Sequence, residues 1–266
     1  GGEAGKAAWG RPVRVSKQSS STFSDKEQIW ADNVATSLHF GNVYVCYAAF
    51  RSVPGAAAPL FVATSHDGGD AWANKQVTAA HNVPPTLWGQ SGCTIRTDSD
   101  GVVYVFYQQF ESPFTFLPPR GSHFVVKSFD GGRSWERPQF VQRITDPCFF
   151  VDPVIFRCVM DGIAGARNDL SGSPNVDIAN GAPFGLGATD LIVNTWVDAR
   201  AGLNNEQVLL NWSSDGANTW SALPPGERCV SPNVLAARWS AKVSWLAMPR
   251  TVTSSSTLTG ETRWRI

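Results

Sequence analysis

The chain has 266 residues, and its 22 basic residues balance its 22 acidic ones. A balanced charge gives no net field that would attract nucleic acid or an anionic membrane, so the composition disfavours both as partners. No stretch approaches the roughly 20 apolar residues that a membrane helix needs. Eleven Trp, 24 Gly and 17 Pro favour a rigid, turn-rich β protein outside the cell. The first residues contain no apolar segment of signal-peptide type, so an exported form would have to be a mature part or a fragment.

The five cysteines carry a second, weaker signal. Their number is odd, which leaves at least one unpaired, and no CxxC spacing indicates a zinc or redox site. Cys148 and Cys158 flank a short loop that contains proline, and we predict that they form a disulfide. Cys46 and Cys93 lie in predicted strands, where buried free thiols are an equal alternative. The sequence predicts no metal and no cofactor.

An eight-residue pattern occurs three times, as SHDGGDAW at 65–72, SFDGGRSW at 128–135 and SSDGANTW at 213–220. Each copy has Ser, Asp, Gly and Trp in the same frame, which predicts a tight hairpin. The Asp carboxylate accepts hydrogen bonds from turn N–H groups, Gly supplies positive φ, and Trp packs between layers. We therefore assign structural roles to three aspartates and three tryptophans: Asp67, Asp130 and Asp215, with Trp72, Trp135 and Trp220.

Strand-like segments recur in the same order around each copy. The first unit reads QIWAD, VATSLHFGN, NVYVCYAAF, LFVATS and AWANKQVT, and the second reads GCTIRT, VVYVFYQQF, HFVVKS and SWERPQFVQ. The third reads VDIAN, DLIVNTWVD, QVLLNWS and TWSALP. Four short strands per unit predict an all-β fold, a β-propeller of four-stranded antiparallel blades, with three complete blades and a partial one.

The organisation of the whole chain follows from these units. We predict one propeller domain over 1–266, with residues 8–16 as a closing strand and a long insertion at 144–175. The distances between the repeated tryptophans exceed the usual repeat of about 40 to 50 residues, so loops are inserted between strands. Residues 229–266 are atypical because no Asp follows Asp215 and no Gly occurs between Gly226 and Gly260. Two alternatives stay open for this segment, a degenerate last blade and an out-of-frame translation.

The three copies, together with SDKEQIWAD before the first, resemble the bacterial neuraminidase (sialidase) superfamily with its BNR, or Asp-box, repeats. The resemblance covers about residues 8–224 and implies a six-bladed propeller, which leaves a truncated chain as an open alternative. It also implies an arginine triad for a sugar carboxylate, an Asp acid/base and a Tyr nucleophile activated by Glu. Arg51, in AAFRS, matches one family arginine. No Tyr occurs in the last units, where the family keeps its nucleophile.

Candidate site residues come from the face opposite the repeated hairpins. Connections between second and third strands, and between units, all emerge there; we call it the loop face, and it collects residues 17–27, 50–59, 79–92, 110–122, 144–175 and 198–206. Guanidinium groups bind planar anions through paired hydrogen bonds. We therefore predict that the ligand is bound by Arg51, Arg167 and Arg200. The candidate acids and bases are Asp25, Glu111 and Asp198, although loop-bracing ion pairs are an equal alternative.

Three functions stay open for a propeller that we expect to be extracellular and monomeric, with a carbohydrate ligand. The first is an exo-glycosidase of sialidase type, which the framework and Arg51 favour. The second is a non-catalytic module that binds glycans or proteins, which needs none of the missing family residues. A polysaccharide-active enzyme of another mechanism, such as a lyase, is a third possibility, with Lys26 and His81 as its only non-arginine bases on the loop face.

Overall fold

A computed structural model describes residues 10–16, 19–51, 58–80, 89–111, 119–148, 150–154, 157–159, 172–202 and 205–223. All regular elements in these ranges are β-strands. In chain order they are β1 (Thr22–Ala31), β2 (Val43–Arg51), β3 (Leu60–Ser65), β4 (Ala73–Gln76), β5 (Gln90–Thr97), β6 (Val103–Phe110), β7 (Arg120–Ser128), β8 (Gln139–Thr145), β9 (Val151–Asp152), β10 (Arg157–Cys158), β11 (Asn175–Ile178), β12 (Ile192–Asp198) and β13 (Gln207–Ser213). The described residues contain no helix that is long and apolar enough to cross a membrane.

The strands form three successive antiparallel sheets. Sheet 1 has the order β1-β2-β3-β4, sheet 2 has β5-β6-β7-β8, and sheet 3 has β11-β12-β13. The pair β9 and β10 forms a small ribbon of its own. Sheet 2 lies between the other two, with its first strand β5 packed against β1, β2 and β11. This serial packing of meander sheets, first strand beside first strand, confirms the predicted all-β propeller class.

Four predicted elements differ from the structure. The predicted strand-like segment VATSLHFGN, at 34–42, forms turns and no strand. Residues 10–16 form no strand, so the predicted closing strand at 8–16 is wrong within its described part. Strand β1 begins at Thr22 rather than at Gln28, because a bulge between Asp25 and Gln28 lets a polar segment continue the pairing with β2. In sheet 3, the predicted fourth strand TWSALP forms no strand in the described residues, although Ser221 N donates to Trp212 O at 2.8 Å.

Because side chains along a strand point alternately to the two sides of a sheet, the core is divided into two layers, one on each side of sheet 2. Tyr44, Cys46 and Ala48 of β2 are buried against Val103, Val105 and Tyr107 of β6. The opposite side of β6, with Tyr104 and Phe106, packs against sheet 3, including Val176 and Ile192. Since successive strand residues point to opposite faces, sheet 2 is apolar on both sides and is covered by sheets 1 and 3.

The described residues contain two disulfides, one between two sheets and one that closes a short segment. Cys46 of β2 is bonded to Cys93 of β5, which ties sheet 1 to sheet 2 inside their shared core. The sequence left this pair open as free thiols. The predicted Cys148–Cys158 disulfide is confirmed and closes the segment that holds β9. Cys229 lies outside the described residues.

Each repeated hairpin is organised by its aspartate. In the second copy, Ser134 N donates to Asp130 Oδ1 at 2.8 Å, and Ser134 Oγ donates to Oδ2 at 2.5 Å. Burial alone would raise the pKa of Asp130, but these hydrogen bonds and one from Ser128 lower it to about 2. In the third copy, hydrogen bonds led by the Thr219 hydroxyl lower the pKa of Asp215 to about 2. In the first copy, Ala71 N donates to both oxygens of Asp67 and lowers its pKa.

The second and third hairpins also contact the preceding sheet. An added Cβ at Gly132 would lie 2.6 Å from Thr64 Oγ1 of sheet 1, so only glycine permits this approach. Trp135 packs on the core between sheets 1 and 2, and Trp220 meets Phe106 edge to face at 5.9 Å. Lys127 Nζ of sheet 2 donates to Asn218 Oδ1 of the third hairpin at 3.0 Å. These hairpins therefore join neighbouring sheets as well as neighbouring strands.

This arrangement predicts different costs for the same substitution at equivalent hairpin positions. Gly69 and Gly132 both have positive φ, but the space beside Gly69 holds only Trp72 at 3.9 Å. We expect Gly69→Ala to lower the free energy of unfolding by about 1 kcal/mol through backbone strain. We expect Gly132→Ala to cost roughly 1 to 3 kcal/mol more, because its methyl group overlaps Thr64. Urea unfolding measures both, and equal costs would contradict the close packing of the second hairpin on sheet 1.

Candidate functional site

The loop face carries the ends of β2, β6 and β12 and the beginnings of β3, β5, β7 and β13, as antiparallel strand order requires. Several of its connections lie outside the described residues, including 52–57, 81–88, 112–118 and 160–171. Arg167 falls among these. Arg51 ends β2 opposite Thr22, but its side chain is also outside the described part. The described candidates on this face are Asp25, Glu111, Asp198 and Arg200.

Glu111 directly follows β6 and forms a half-buried ion pair. Its Oε2 accepts a hydrogen bond from Arg143 Nη1 at 2.7 Å, and its Oε1 accepts one from Ser122 Oγ. The Arg143 side chain is 72% exposed, whereas that of Glu111 is 26% exposed. The guanidinium therefore presents its remaining donors to solvent beside a carboxylate that is already held in place.

Asp198 ends β12 and is fully buried. Its carboxylate accepts bonds from Arg200 Nε at 2.7 Å and Arg200 Nη2 at 2.8 Å, and from Trp196 Nε1 at 3.0 Å. A further bond from Thr145 N at 3.2 Å ties it to sheet 2. Burial acts to raise the pKa of Asp198, but the bonds from Arg200 and Trp196 outweigh it and lower the pKa. Asp198 is thus a paired, ionised carboxylate at the junction of sheets 2 and 3.

The structure brings two of the candidate carboxylates into one cluster. Arg200 Nη2 also donates to the backbone oxygen of Arg143 at 3.1 Å, so the Glu111–Arg143 and Asp198–Arg200 pairs adjoin. Asp25 lies elsewhere, within β1 of sheet 1, where Lys26 N donates to its Oδ1 at 2.9 Å. We call Glu111, Arg143, Asp198 and Arg200 the ion-pair cluster. No group of His, Cys, Asp or Glu residues suited to a metal ion occurs in the described ranges.

Beneath the loop face, the layer between sheets 2 and 3 changes from apolar to polar. Gln108 of β6 lies opposite His123 of β7, and both are fully buried. Gln108 Nε2 donates to Asp146 Oδ2 at 2.7 Å, and Ser173 Oγ donates to Gln108 Oε1 at 3.1 Å. His123 Nε2 donates to Gly172 O at 2.6 Å, and Asn194 Nδ2 donates to its Nδ1 at 3.2 Å. Hydrogen bonding to both ring nitrogens in this way holds a neutral imidazole in one tautomer.

All four tyrosines of the chain are buried in the sheet cores. Burial raises the pKa of Tyr44 to about 12, and it raises those of Tyr47, Tyr104 and Tyr107 as well. Tyr47 donates to Asn74 Oδ1 at 2.7 Å, and Tyr104 donates to Asp98 Oδ2 at 2.9 Å. A nucleophilic phenol must reach substrate and lose its proton, and neither condition is met by any of these side chains.

Sequence analysis missed several polar residues of this region. Arg143 lies in strand β8, and the sequence of that strand, QFVQRIT, is typical of an edge strand and did not indicate a site residue. Gln108 and His123 occupy buried positions of the strands VYVFYQQF and RGSHFVVKS. A polar residue at an inward position of a buried strand is a signal that such residues need partners, and it marks this layer.

Comparisons with known proteins give similarity to solved structures alone: no family model matches, and no curated protein matches. A Hadza microbial sialidase is 13% identical, with a TM-score of 0.45, over 75% of this chain and 36% of its own. A family 117 glycoside hydrolase from the marine bacterium Zobellia galactanivorans is 16% identical, with a TM-score of 0.44, over 78% and 57%. A Trypanosoma rangeli sialidase is 16% identical, with a TM-score of 0.45, over 76% and 30%. The chain thus spans less than two thirds of each of these structures.

The ion-pair cluster predicts unequal effects of removing its two arginines. Arg200→Ala leaves the buried Asp198 carboxylate without its main partner, and we expect a loss of roughly 3 to 5 kcal/mol in the free energy of unfolding. Arg143→Ala removes an exposed partner of Glu111, and we expect a loss below about 1 kcal/mol. Denaturant unfolding of the two variants measures the difference. A cost for Arg200→Ala as small as that for Arg143→Ala would contradict the burial of Asp198.

His123 predicts a specific pH dependence. Burial lowers its pKa to about 4, whereas the unfolded chain takes up the proton near the usual value of 6.5. The stability contributed by the neutral ring is therefore complete above pH 6.5 and is lost as the pH falls towards 4. The full loss is about 3 kcal/mol. We expect His123→Gln to lack this part of the slope when unfolding free energies are compared between about pH 7 and about pH 4.5. Parallel slopes for the two proteins would contradict a buried, neutral His123.

Proposed function

We propose that this chain is a glycan-acting propeller that binds an anionic carbohydrate at its loop face. The observation that carries the proposal is the ion-pair cluster, in which the exposed Arg143 side chain pairs with Glu111 and the backbone oxygen of Arg143 accepts a hydrogen bond from Arg200 at the junction of sheets 2 and 3. The Arg143 side chain is 72% exposed, and paired hydrogen bonds from guanidinium groups suit carboxylate or sulfate groups of sugars. Arg51 and Arg167 are proposed to add further contacts from the same face.

Binding without sialidase-type hydrolysis fits the described residues best. The covalent mechanism implied by the resemblance needs an accessible tyrosine, and all four tyrosines are buried. The similar solved structures include sialidases and a family 117 glycoside hydrolase, so a carbohydrate ligand is the natural class to test. Two disulfides in the described residues support an oxidising, extracellular location.

Hydrolysis by another route is the second candidate. Glu111 and Asp198 adjoin through Arg143 and Arg200, and paired carboxylates are the usual acid and base of glycoside hydrolysis. Against the effect of burial, hydrogen bonds from Arg200 and Trp196 lower the pKa of Asp198, so this carboxylate supplies no proton donor at neutral pH. In this alternative Asp25 would be the remaining candidate acid.

A glycan array and a turnover assay with the purified chain distinguish the two candidates. We expect binding to sialylated or sulfated glycans and no release of a fluorogenic sialoside. Arg51→Ala is expected to weaken binding at least about tenfold, because a charge-assisted hydrogen bond contributes about 1.5 kcal/mol or more. The control is Arg133→Ala, an exposed arginine of the second hairpin on the opposite face.

Other outcomes would revise the proposal. Sialoside release that persists in Arg51→Ala and disappears in Glu111→Gln would establish the hydrolytic alternative. Equal binding by Arg51→Ala and Arg133→Ala would remove Arg51 from the site. Absence of both binding and turnover across the array and a glycoside panel would contradict a carbohydrate ligand.

A further inference from the structure

Four large apolar side chains are exposed on the side of the molecule that carries the repeated hairpins. The turns at 32–42, between β1 and β2, and at 179–191, between β11 and β12, lie on this side, which we call the hairpin face. Single exposed apolar residues are ordinary, whereas a group of them on one surface marks an interaction site. The group, which we call the apolar patch, is 61% to 89% exposed and consists of Leu38, Phe40, Phe184 and Leu186.

The two turns that carry the apolar patch touch each other. A Cβ added at Gly185 would lie 2.5 Å from Thr36 Oγ1, so the backbone of the second turn lies directly against the first. Leu38 follows Thr36 by two residues, and the patch residues of the second turn are the direct chain neighbours of Gly185. Since consecutive Cα atoms are about 3.8 Å apart, these three patch residues lie within about 8 Å of the contact. Phe40 belongs to the same turn as Leu38, so the four side chains share one surface.

Hydrogen bonds hold both turns in a fixed shape. In the first turn, Asp32 N donates to Asn42 O at 2.9 Å, and Ser37 Oγ donates to the buried Asp32 carboxylate at 2.5 Å. In the second turn, Gly185 N donates to Gly181 O at 2.8 Å. Side chains displayed on an ordered backbone lose less conformational freedom when a partner covers them, which lowers the cost of association.

We propose that the apolar patch is the interface of a homodimer, in which it packs on the same patch of a second copy of this chain. At their exposed fractions, four side chains of this size supply roughly 500 Å² per copy, or about 1,000 Å² in total. This total is close to the lower limit for a specific interface, before any flanking residue is counted. The proposal replaces the monomer that we expected from the sequence.

The charges near the apolar patch also suit a second copy. Asp100 and Arg133 are exposed, and each is within two residues of a glycine, Gly101 or Gly131, that approaches the His39 ring in the first turn. A border with both signs of charge allows opposite charges to pair across an interface of two identical patches. The 22 basic and 22 acidic residues of the chain leave no net charge by which two copies would repel each other.

The proposed dimer does not depend on the proposed sugar ligand. The hairpin face is opposite the loop face, so pairing through the apolar patch leaves the ion-pair cluster of each copy open to a ligand. A failure of glycan binding therefore has no bearing on the dimer, and a monomeric chain has none on glycan binding.

Sedimentation equilibrium of the full chain tests the proposal. We expect a monomer–dimer equilibrium between about 1 and 100 μM, as suits an interface near the lower size limit. Leu186→Asp is expected to weaken dimerisation about a hundredfold, because each dimer then buries two unpaired carboxylates and each costs at least about tenfold in affinity. The matched control is Val154→Asp, which changes an 82% exposed valine between β9 and β10 and should dimerise like the unaltered chain.

Three results would overturn the proposed dimer. The first is a monomer at every concentration. The second is a dimer that Leu186→Asp leaves unchanged, since that dimer would use another surface. The third is an equal loss of dimerisation in Val154→Asp, which would remove the specific role of the apolar patch. Circular dichroism verifies the folding of each variant, and Leu38→Asp tests the same patch from the first turn if Leu186→Asp does not fold.

Discussion

The hydrogen bonds of a turn carboxylate are the constraint on which the rest of this molecule depends. Asp130 is bound by the N–H and hydroxyl groups of Ser134 and by Ser128, which fixes the second hairpin. Only in that fixed shape does Gly132 reach Thr64 of the preceding sheet while Trp135 packs on the core beside it. Each such hydrogen bond contributes about 1 kcal/mol, but together they determine how two sheets meet. The second copy of the repeated sequence therefore joins sheet 2 to sheet 1.

The same constraint separates the two faces of the molecule. The carboxylates of the hairpin aspartates accept hydrogen bonds from the turns on one face. Carboxylates with other roles must therefore lie elsewhere. On the loop face, Asp198 accepts bonds from Thr145 of sheet 2 and from Arg200, and this pair adjoins Glu111 and Arg143. The cluster both joins sheets 2 and 3 and displays a guanidinium group to solvent. The proposed binding of an anionic sugar would use this surface, which the junction of the two sheets supports.

The fold was largely predictable from the sequence because its signals are local. A hairpin with Asp, Gly and Trp in fixed positions is specified within eight residues, and alternation marks the strands beside it. The start of β1 was missed because TFSDKE is polar and contains a bulge, where Lys26 has a φ of 57°. The Cys46–Cys93 bond was left open because pairing across sheets depends on their packing, which spacing along the chain does not contain.

The candidate site was less predictable for a related reason. The charged residues of the loop face could be identified from the sequence. Which of them form structural ion pairs could not, because ion pairing there depends on contacts between sheets. Asp198 is held by a residue two positions away and by Thr145 far along the chain. Arg143 escaped notice because nothing in QFVQRIT distinguishes it from any edge-strand cation. Tertiary contacts, which a motif does not encode, decide these roles.

Hydrogen exchange of Asp130→Ala and Asp67→Ala tests the joint between sheets most directly. Asp67 organises the first hairpin, whose Gly69 approaches only its own Trp72. The account predicts that Asp67→Ala increases exchange only around residues 65–72, whereas Asp130→Ala also increases it in β2 and β3 of sheet 1. Exchange confined to the altered hairpin in both variants would contradict the account.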